Sequence, residues 1–509
     1  MMPTITIILY FQNMMGMVPN IYLLRYLQGK GVNLPEVENK AKKYMKIGYD
    51  REQKYRFPDG SYSVWGPKTD EIGSMWLTSF VVKAFVQASK YIEIDKRNVI
   101  QSIYWILKRQ GKDGCFQIQG YALHRDLKGD STSLSAFILV TLLEAKLIIK
   151  EWELEIGISS IPTQQGNSME KVIKKAYQCV MNNITTNENP NIYLQSMVTY
   201  ASILYEENFG NITAISEQKS ADELLTSVLE MSNSSLPGKL FWTTGNRNKA
   251  RDVEITAYNV LSLSKKNRLS EALQAIRWLA TNRNSRGGFV STQDTMVALE
   301  AISDYSLKMR SEENNLEIKV SVGDNPLLQS FKVDENNKLL YQKEKIEQLS
   351  ALNNVSVKAS GNGCFMVQTI LRYNIQDSPA KEGFNLVVSQ TNEDLKVCAS
   401  YTGTKETDMV VIEIELLSGY TPYLKSLEKL FRLEGKERSN DVNYAPVKKY
   451  EYDEKDRKVI LYYDEMLKQE NCYEIELKKV MNIQEIKPAI ATIYDYYNSK
   501  NTFSTSYNI

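Results

Sequence analysis

The sequence predicts a multidomain protein in which an all-α toroid of the α/α6 kind precedes all-β sandwich domains. The chain has 509 residues, whereas a single hydrophobic core stops growing at roughly 250–300 residues. Apolar residues in the first ~310 positions recur with the 3.6-residue period of amphipathic helices. From about Glu317 the period changes to two, which is typical of strands. We therefore expect two or three domains, with the helices first.

The helical part is predicted to consist of repeated hairpins. Apolar helices rich in small residues begin near Gln12, Ser74, Ser131, Ile192, Val253 and Ser291. More charged stretches with one polar face lie between them, at 34–47, 98–110, 169–182, 217–231 and 270–281. A repeat of about 60 residues is the signature of stacked supersecondary units. Six inner and five outer helices predict a toroid whose first outer helix is missing, and so a chain that has lost upstream sequence.

The β part shows runs in which apolar and polar residues alternate. They occur at 316–322, 355–360, 364–373, 409–416 and 458–463. Pro379–Gly383 has the composition of a linker. The ~125 residues from Phe384 to Ile509 have the size of a β-sandwich domain. One short helix, Tyr423–Leu433, is expected to interrupt these strands.

The composition excludes several classes of protein. Lys plus Arg number 62 against 61 Asp plus Glu, so the charge does not indicate a nucleic acid or an anionic membrane as partner. Met1–Leu24 carries no charge, but it lacks the basic start and the small-residue cleavage site of a signal peptide. Polar residues around Pro19 also disfavour a membrane span.

Cysteines and glycosylation sequons favour a secreted, extracellular protein. Five cysteines without metal-type spacing lie at Cys115, Cys179, Cys364, Cys398 and Cys472. Asn-x-Ser/Thr sequons lie at Asn183, Asn211, Asn233 and Asn354. Together these features are typical of an oxidising compartment. Because five is an odd number, one cysteine is a free thiol or pairs outside the chain; five buried free thiols are the alternative.

Motifs spread along the chain resemble those of one family, in the same order. They lie at 12–27, 114–137, 287–295, 363–364, 418–420 and 487–497. The first is similar to the helix after a Cys-Gly-Glu-Gln thioester motif, the second to a segment with a catalytic histidine, and the third to the signature GG-[YF]-x-STQ-[AD]-T. The others are similar to carboxy-terminal motifs of α2-macroglobulins. The chain thus resembles the thioester-containing proteins of the α2-macroglobulin and complement family.

The resemblance implies three domains and a covalent chemistry. Residues 1–311 would be a thioester toroid incomplete at its N-terminus, 312–380 the second half of a CUB β-domain, and 381–509 a receptor-binding β-sandwich. In such proteins a Cys thiol and a Gln three residues later condense to a buried thioester, which then acylates a hydroxyl or amine of a target. Gln12 matches the acyl position, but Leu9 stands where the cysteine is required.

Further residue roles follow from the same resemblance. His124, the only histidine, matches the residue that takes over the acyl group in hydroxyl-preferring members. The implied disulfides are Cys115 with Cys179 and Cys398 with Cys472, while Cys364 would pair with a cysteine upstream of the toroid. Lys425 and Lys429, on one face of a helix, lie near the lysine pair that engages endocytic receptors of the low-density-lipoprotein-receptor class.

Two interpretations of Leu9 remain open. Either Met1–Phe11 is an artefact or an alternative exon that replaces the motif, or the chain is a degenerate member that binds without covalent chemistry, as an interaction or decoy module. A toroid enzyme acting on glycans is a third alternative, although no zinc ligand set or Asp-rich motif supports an enzyme. We expect no enzymatic activity, metal or cofactor. The intact parent would attach to proteases or to microbial and cell surfaces, in protease inhibition or innate immunity.

Overall fold

The structure of the chain is a computed structural model. Its helical part describes residues 9–120, 130–157, 168–186, 191–210, 219–245, 249–284 and 287–309. The remainder describes residues 314–322, 325–335, 337–338, 340–345, 354–363, 365–370, 383–391, 393–403, 407, 409–432, 445–496 and 501–509. The predicted sites His124, Asn211 and Cys364 lie outside the described residues, as do the side chains of Leu9 and Gln12.

Helices in the described part of the first half alternate between inner and outer positions, as predicted. The inner helices are α1 (Leu9–Gly29), α3 (Met75–Ala88), α5 (Ser131–Ile156), α7 (Ile192–Phe209), α9 (Lys249–Lys265) and α11 (Thr292–Lys308). The outer helices are α2 (Pro35–Glu52), α4 (Lys96–Leu107), α6 (Met169–Thr186), α8 (Ala221–Glu230) and α10 (Leu269–Thr281). Consecutive inner helices pack against each other, α3 on α5, α5 on α7 and α7 on α9.

Contacts between the first and the last inner helix close the ring. Arg25 Nη2 lies 2.9 Å from Asp304 Oδ1, and Ser303 Oγ donates a hydrogen bond of 3.3 Å to Tyr22 O. Ser303 and Tyr22 are 281 positions apart in the chain. The helical part is therefore a closed α/α toroid, and the predicted fold class is confirmed.

Side-chain caps determine where inner helices begin. Ser74 Oγ accepts a hydrogen bond from Leu77 N, and Asn191 Oδ1 accepts one from Tyr193 N. Each cap satisfies one of the N–H groups that have no partner within the helix. Because inner and outer helices alternate in direction, the inner helices all begin at one end of the toroid. We call this the upper end; Ser74, Asn191 and Ser291 mark it.

The glycine-aromatic turn at Gly114–Phe116 packs closely against the neighbouring helical hairpin. Gly114 has φ +91°, and a Cβ atom placed on it would lie 2.4 Å from Lys175 O. The turn therefore needs glycine both for its backbone conformation and for this close approach. Two residues later Phe116 is 1% exposed, and its N–H donates to Ser135 Oγ at 2.7 Å.

Residues Leu307–Asn374 form a compact unit of their own. Its described strands are β1 (Asn315–Val322), β2 (Asn325–Asp334) and β3 (Val355–Asn362), in the antiparallel order β2-β1-β3. Alternate β1 side chains are buried, whereas β3 is exposed at seven of its eight positions. The expected strand at 364–373 is wrong for its described residues 365–370, which are not in a strand.

The terminal region is a β-sandwich of two antiparallel sheets. Its elements are β4 (Phe384–Gln390), β5 (Asp394–Tyr401), β6 (Val410–Glu415), β7 (Tyr420–Pro422), α12 (Leu424–Arg432), β8 (Lys449–Asp453), β9 (Lys458–Tyr463), β10 (Asn471–Lys479), β11 (Ala489–Asp495) and β12 (Thr502–Tyr507). The sheet orders are β4-β5-β10-β7 and β12-β11-β6-β9-β8. An apolar core lies between them. The helix predicted at Tyr423–Leu433 is α12.

One helix of the described chain, α5, is long and apolar enough to cross a membrane. It has 26 residues, and 72% of its most apolar window is buried inside the protein. This burial is what a core helix of the toroid requires.

The two requirements on Gly114 predict different costs for two glycine-to-alanine changes. Gly31 also has a positive φ, +65°, but a Cβ there meets nothing within 4 Å. We expect Gly31→Ala to lower the free energy of unfolding by about 1–2 kcal/mol, the cost of a left-handed alanine. Gly114→Ala adds the clash with Lys175 O and should cost more. Denaturant unfolding followed by helix circular dichroism measures both, and equal costs would contradict the packing described.

Candidate functional site

A buried hydrogen-bonded network joins four inner helices at the upper end. Trp76 Nε1 donates to Gln293 Oε1 at 3.1 Å. Gln293 Nε2 donates to Glu254 Oε1 at 2.6 Å, which also accepts from the Tyr193 hydroxyl at 2.9 Å. None of the four side chains is more than 5% exposed. Burial, followed by the charge of Glu254, raises the pKa of Tyr193 well above its usual value, so this hydroxyl remains a donor.

Asp294 fixes the start of α11 and thereby the position of Gln293. Its carboxylate accepts from Ser291 N at 2.8 Å and from Val290 N at 3.1 Å. Burial and, to a smaller extent, the charge of Glu254 raise the pKa of Asp294 to about 7, against the effect of these hydrogen bonds. The Ser-Thr-Gln-Asp signature thus has a local structural cause: its Asp caps the helix on which its Gln faces the network.

The terminal β-sandwich packs on the upper end. Trp65, in the connection that leads into α3, donates from Nε1 to Asp464 Oδ1 at 3.3 Å, and its ring lies 6.4 Å from that of Tyr462. The side chains of Tyr496 and Thr292 are hydrogen-bonded, and burial raises the pKa of Tyr496. Four sandwich residues belong to the apolar core of the toroid, namely Met409, Val411, Ile460 and Tyr462. This end is therefore covered by protein.

Helix α1 begins at Leu9, which places Gln12 in its first turn at the upper end. The next residue, Asn13, is 1% exposed and donates from Nδ2 to Glu52 Oε2 at 3.2 Å. Burial raises the pKa of Glu52 well above its usual value, and the bond from Asn13 opposes this shift. The pair ties the start of α1 to the end of α2.

A charged cluster lies midway along the inner helices. Lys83 Nζ lies 3.2 Å from Glu144 Oε1 and 2.9 Å from Glu300 Oε2. Gln87 Nε2 donates to both carboxylates, and the Tyr200 hydroxyl donates to Glu144 at 3.2 Å. Burial raises the pKa of Glu144 to about 6, although Lys83 opposes this. Burial would also raise the pKa of Glu300, but Lys83 outweighs it and the pKa is lowered.

Two disulfides have the pairings that the resemblance implies. Cys115 is bonded to Cys179, which joins the turn before α5 to α6, with 5.5 Å between the Cα atoms. Cys398 is bonded to Cys472, and these residues face each other across β5 and β10. The first pair therefore fastens two neighbouring hairpins of the toroid, and the second fastens two strands of one sheet.

The other predicted residues lie on the surface of their domains. Lys425 and Lys429 are both exposed on α12, and Lys429 Nζ lies 2.8 Å from Glu476 Oε1. Asn183 is exposed on α6, but its Nδ2 donates to Cys179 O at 2.9 Å. Asn233 accepts from Ser235 N in a turn, and Asn354 is exposed before β3.

Sequence reasoning missed most of the upper-end network. The sequence pattern assigns no role to Trp76, Tyr193 or Glu254, and it indicates Gln293 only as part of a signature. The available signal was a buried-looking glutamate, Glu254, within the apolar stretch that begins α9. An acid at such a place needs a partner, but its partners lie 39 and 61 positions away, so spacing alone does not identify them.

Comparisons with known proteins agree with this architecture. Residues 11–305 match the family profile of the A-macroglobulin TED domain, and residues 405–508 match that of the A-macroglobulin receptor binding domain. The chain is 32% identical over 523 aligned positions to ovostatin of Gallus gallus. The alignment covers 96% of the chain and 32% of ovostatin, so the chain spans about a third of the length of this relative.

The cluster around Lys83 predicts a pH dependence of stability. The pKa of Glu144 is raised from 4.5 to about 6, so its stabilising contribution is complete below about pH 4.5 and is lost as the pH rises through about 6. Glu144→Gln abolishes this proton uptake. Between pH 4.5 and 7 the free energy of unfolding should therefore change by about 2 kcal/mol less in the variant than in the wild type.

Unfolding titrations in denaturant at several pH values measure this difference. Glu155→Gln is the matched control, because Glu155 is 61% exposed in an ion pair with Lys96 and surface pairs contribute little. Identical pH profiles for wild type and Glu144→Gln would refute the proton uptake by the cluster.

Proposed function

The chain belongs to the A-macroglobulin family, and on that premise we propose that it is part of a secreted protein that inhibits proteases or marks surfaces through a thioester. The observation that carries this proposal is the position of Gln12. It lies in the first turn of an inner helix at the upper end, which the terminal β-sandwich covers. A sandwich that covers this end would keep water away from it until the sandwich moves.

The chemistry proposed for the parent is an acyl transfer. A cysteine thiol adds to the side-chain amide of the glutamine, ammonia leaves and a thioester forms; a target hydroxyl or amine then takes the acyl group and releases the thiol. His124 would accept the acyl group first, as an acyl-imidazole. In this chain Leu9 occupies the thiol position, so the chain as it stands favours a second function, non-covalent binding as an interaction or decoy module.

We propose the domain limits 1–311, 312–380 and 381–509 for the toroid, the half CUB domain and the receptor-binding domain. The exposed strand β3 supports a sheet in the second domain that further strands complete. Asn354, which is exposed, and Asn233, which is half-buried, lie outside helices and are the sequons best suited to glycosylation. Proteases, microbial or cell surfaces, and an endocytic receptor remain the proposed partners, outside the cell.

Restoring the motif tests the thioester. In a variant with Leu9→Cys, Tyr10→Gly and Phe11→Glu, we expect about one equivalent of labelled methylamine to be incorporated and about one thiol to be released, because one thioester gives one of each. Peptide mapping should place the label on Gln12. The original chain and the same triple variant with Gln12→Ala are the controls and should incorporate none. A folded triple variant that takes up no methylamine would count against the proposal.

The lysine pair on α12 predicts the receptor contact. Lys425→Ala combined with Lys429→Ala should weaken binding to an immobilised receptor fragment of the low-density-lipoprotein-receptor class by about tenfold or more, because two charge-assisted contacts are lost. Surface plasmon resonance measures this change. Lys468→Ala, which removes an exposed lysine outside the helix, is the control. An equal effect of the control would mean that only net charge matters.

A further inference from the structure

A polar cleft lies in the terminal β-sandwich. It has a volume of about 400 Å³. Three segments form it: the connection from β6 to β7, the hairpin between β8 and β9, and the residues that lead into β11. Two of these segments carry carboxy-terminal motifs of the sequence, at 418–420 and 487–490. These motifs have no role in the proposed thioester chemistry or in the proposed receptor contact of α12.

The side chains that line the cleft leave two cations available. Lys458 is shared by Glu413 and Glu415, each 3.4 Å from its Nζ. Arg457 and Lys487 are exposed, and within the described residues neither has a carboxylate within ion-pair distance. Asp456 is the one further carboxylate on the lining. Two uncompensated cations therefore face one carboxylate.

The backbone of Arg457 is held in a strained conformation. Its φ is +50°, a left-handed conformation that favours glycine or asparagine. Leu416 N donates to Arg457 O at 2.8 Å, which fixes the strained residue against the connection from β6 to β7. Strained non-glycine residues concentrate at sites where a side chain is needed. Lys487 is restricted as well, because the residue before a proline is confined to extended backbone.

The donors in the cleft converge. Arg457 Nη1 donates to Ser418 Oγ at 3.1 Å. A hydroxyl that accepts such a bond keeps its own proton for donation, and the guanidinium has four further N–H groups. Arginine forks match the oxygens of tetrahedral oxyanions, and a lysine adds a point charge.

We propose that this cleft binds the oxyanion of a sulfate or phosphate monoester, held by Arg457, Lys487 and the Ser418 hydroxyl. Such a group fits the cleft together with the sugar that carries it. The two sources of the same chemistry are a sulfated glycan and a phosphorylated sugar. The site does not rest on the proposed thioester function, because it needs neither Gln12 nor His124.

Isothermal titration of the full chain at low ionic strength tests the site with galactose 6-sulfate, galactose 6-phosphate and galactose. We expect binding of at least one of the two esters and none of galactose. Preference for the sulfate assigns the site to sulfated glycans, and preference for the phosphate assigns it to phosphorylated sugars. Heat effects that are absent for both esters, or equal for galactose, overturn the proposal.

Variants identify the residues. Arg457→Gln and Lys487→Gln should each weaken ester binding by about tenfold, the value of one charge-assisted contact, while Asp456→Asn should strengthen it. Lys478→Gln, which removes an exposed lysine on β10, is the matched control and should bind as the wild type does. Arg457→Gly relieves the backbone, so it should fold at least as stably yet lose binding. Retained binding in Arg457→Gly, or equal weakening in Lys478→Gln, refutes the assignment.

Discussion

The arrangement of the inner helices depends on the charge of Lys83. This lysine lies on α3 and bridges Glu144 on α5 and Glu300 on α11, while Tyr200 adds a bond from α7. Four of the six inner helices thus meet at one group of side chains. A buried ion left without its partner costs roughly 3–5 kcal/mol, so any sliding of one helix against another is opposed electrostatically. Such a restraint sets the register of the ring in a way that apolar packing alone would not.

The register of the inner helices in the middle of the ring also determines the relative heights at which these helices begin at the upper end. Trp76, Tyr193 and Gln293 all occupy the second position of their helices. Their hydrogen bonds to one another and to Glu254 therefore require that the helices start at matching heights. In α11 the height of the start is determined locally, because Asp294 caps the first turn of this helix. The four side chains of the network bond to one another within the ring, whereas Trp65 and Thr292 bond to the terminal sandwich, beside the apolar residues that the sandwich covers.

Much of this architecture follows from sequence periodicity, and the limits of such reasoning have physical causes. The predicted inner-helix starts at Ser74, Ser131 and Ile192 lie within one residue of the observed ones, because turns and caps are local. The start predicted at Val253 is four residues late, since charged residues of the first turn conceal the apolar period. The strand expected at 364–373 had the right alternation, but its described residues 365–370 form no strand; alternation alone does not supply hydrogen-bond partners for the backbone. The candidate site was harder still: Gln12 was identified by resemblance, whereas the partners of Gln293 are brought together only by closure of the ring.

The toroid and the sandwich are separate along the sequence, but they share an apolar core. They therefore do not fold as independent domains. Met409, Val411 and Tyr462 are each at most 1% exposed because they lie against helices more than a hundred residues earlier in the chain. A toroid produced without the sandwich would expose an apolar surface at its upper end. The sandwich produced alone would expose the apolar sheet face that packs there. Both pieces would gain by self-association, since large exposed apolar patches promote aggregation. Separation of the toroid from the sandwich in the intact protein would expose both apolar surfaces. A new contact has to offset the free energy that this exposure costs.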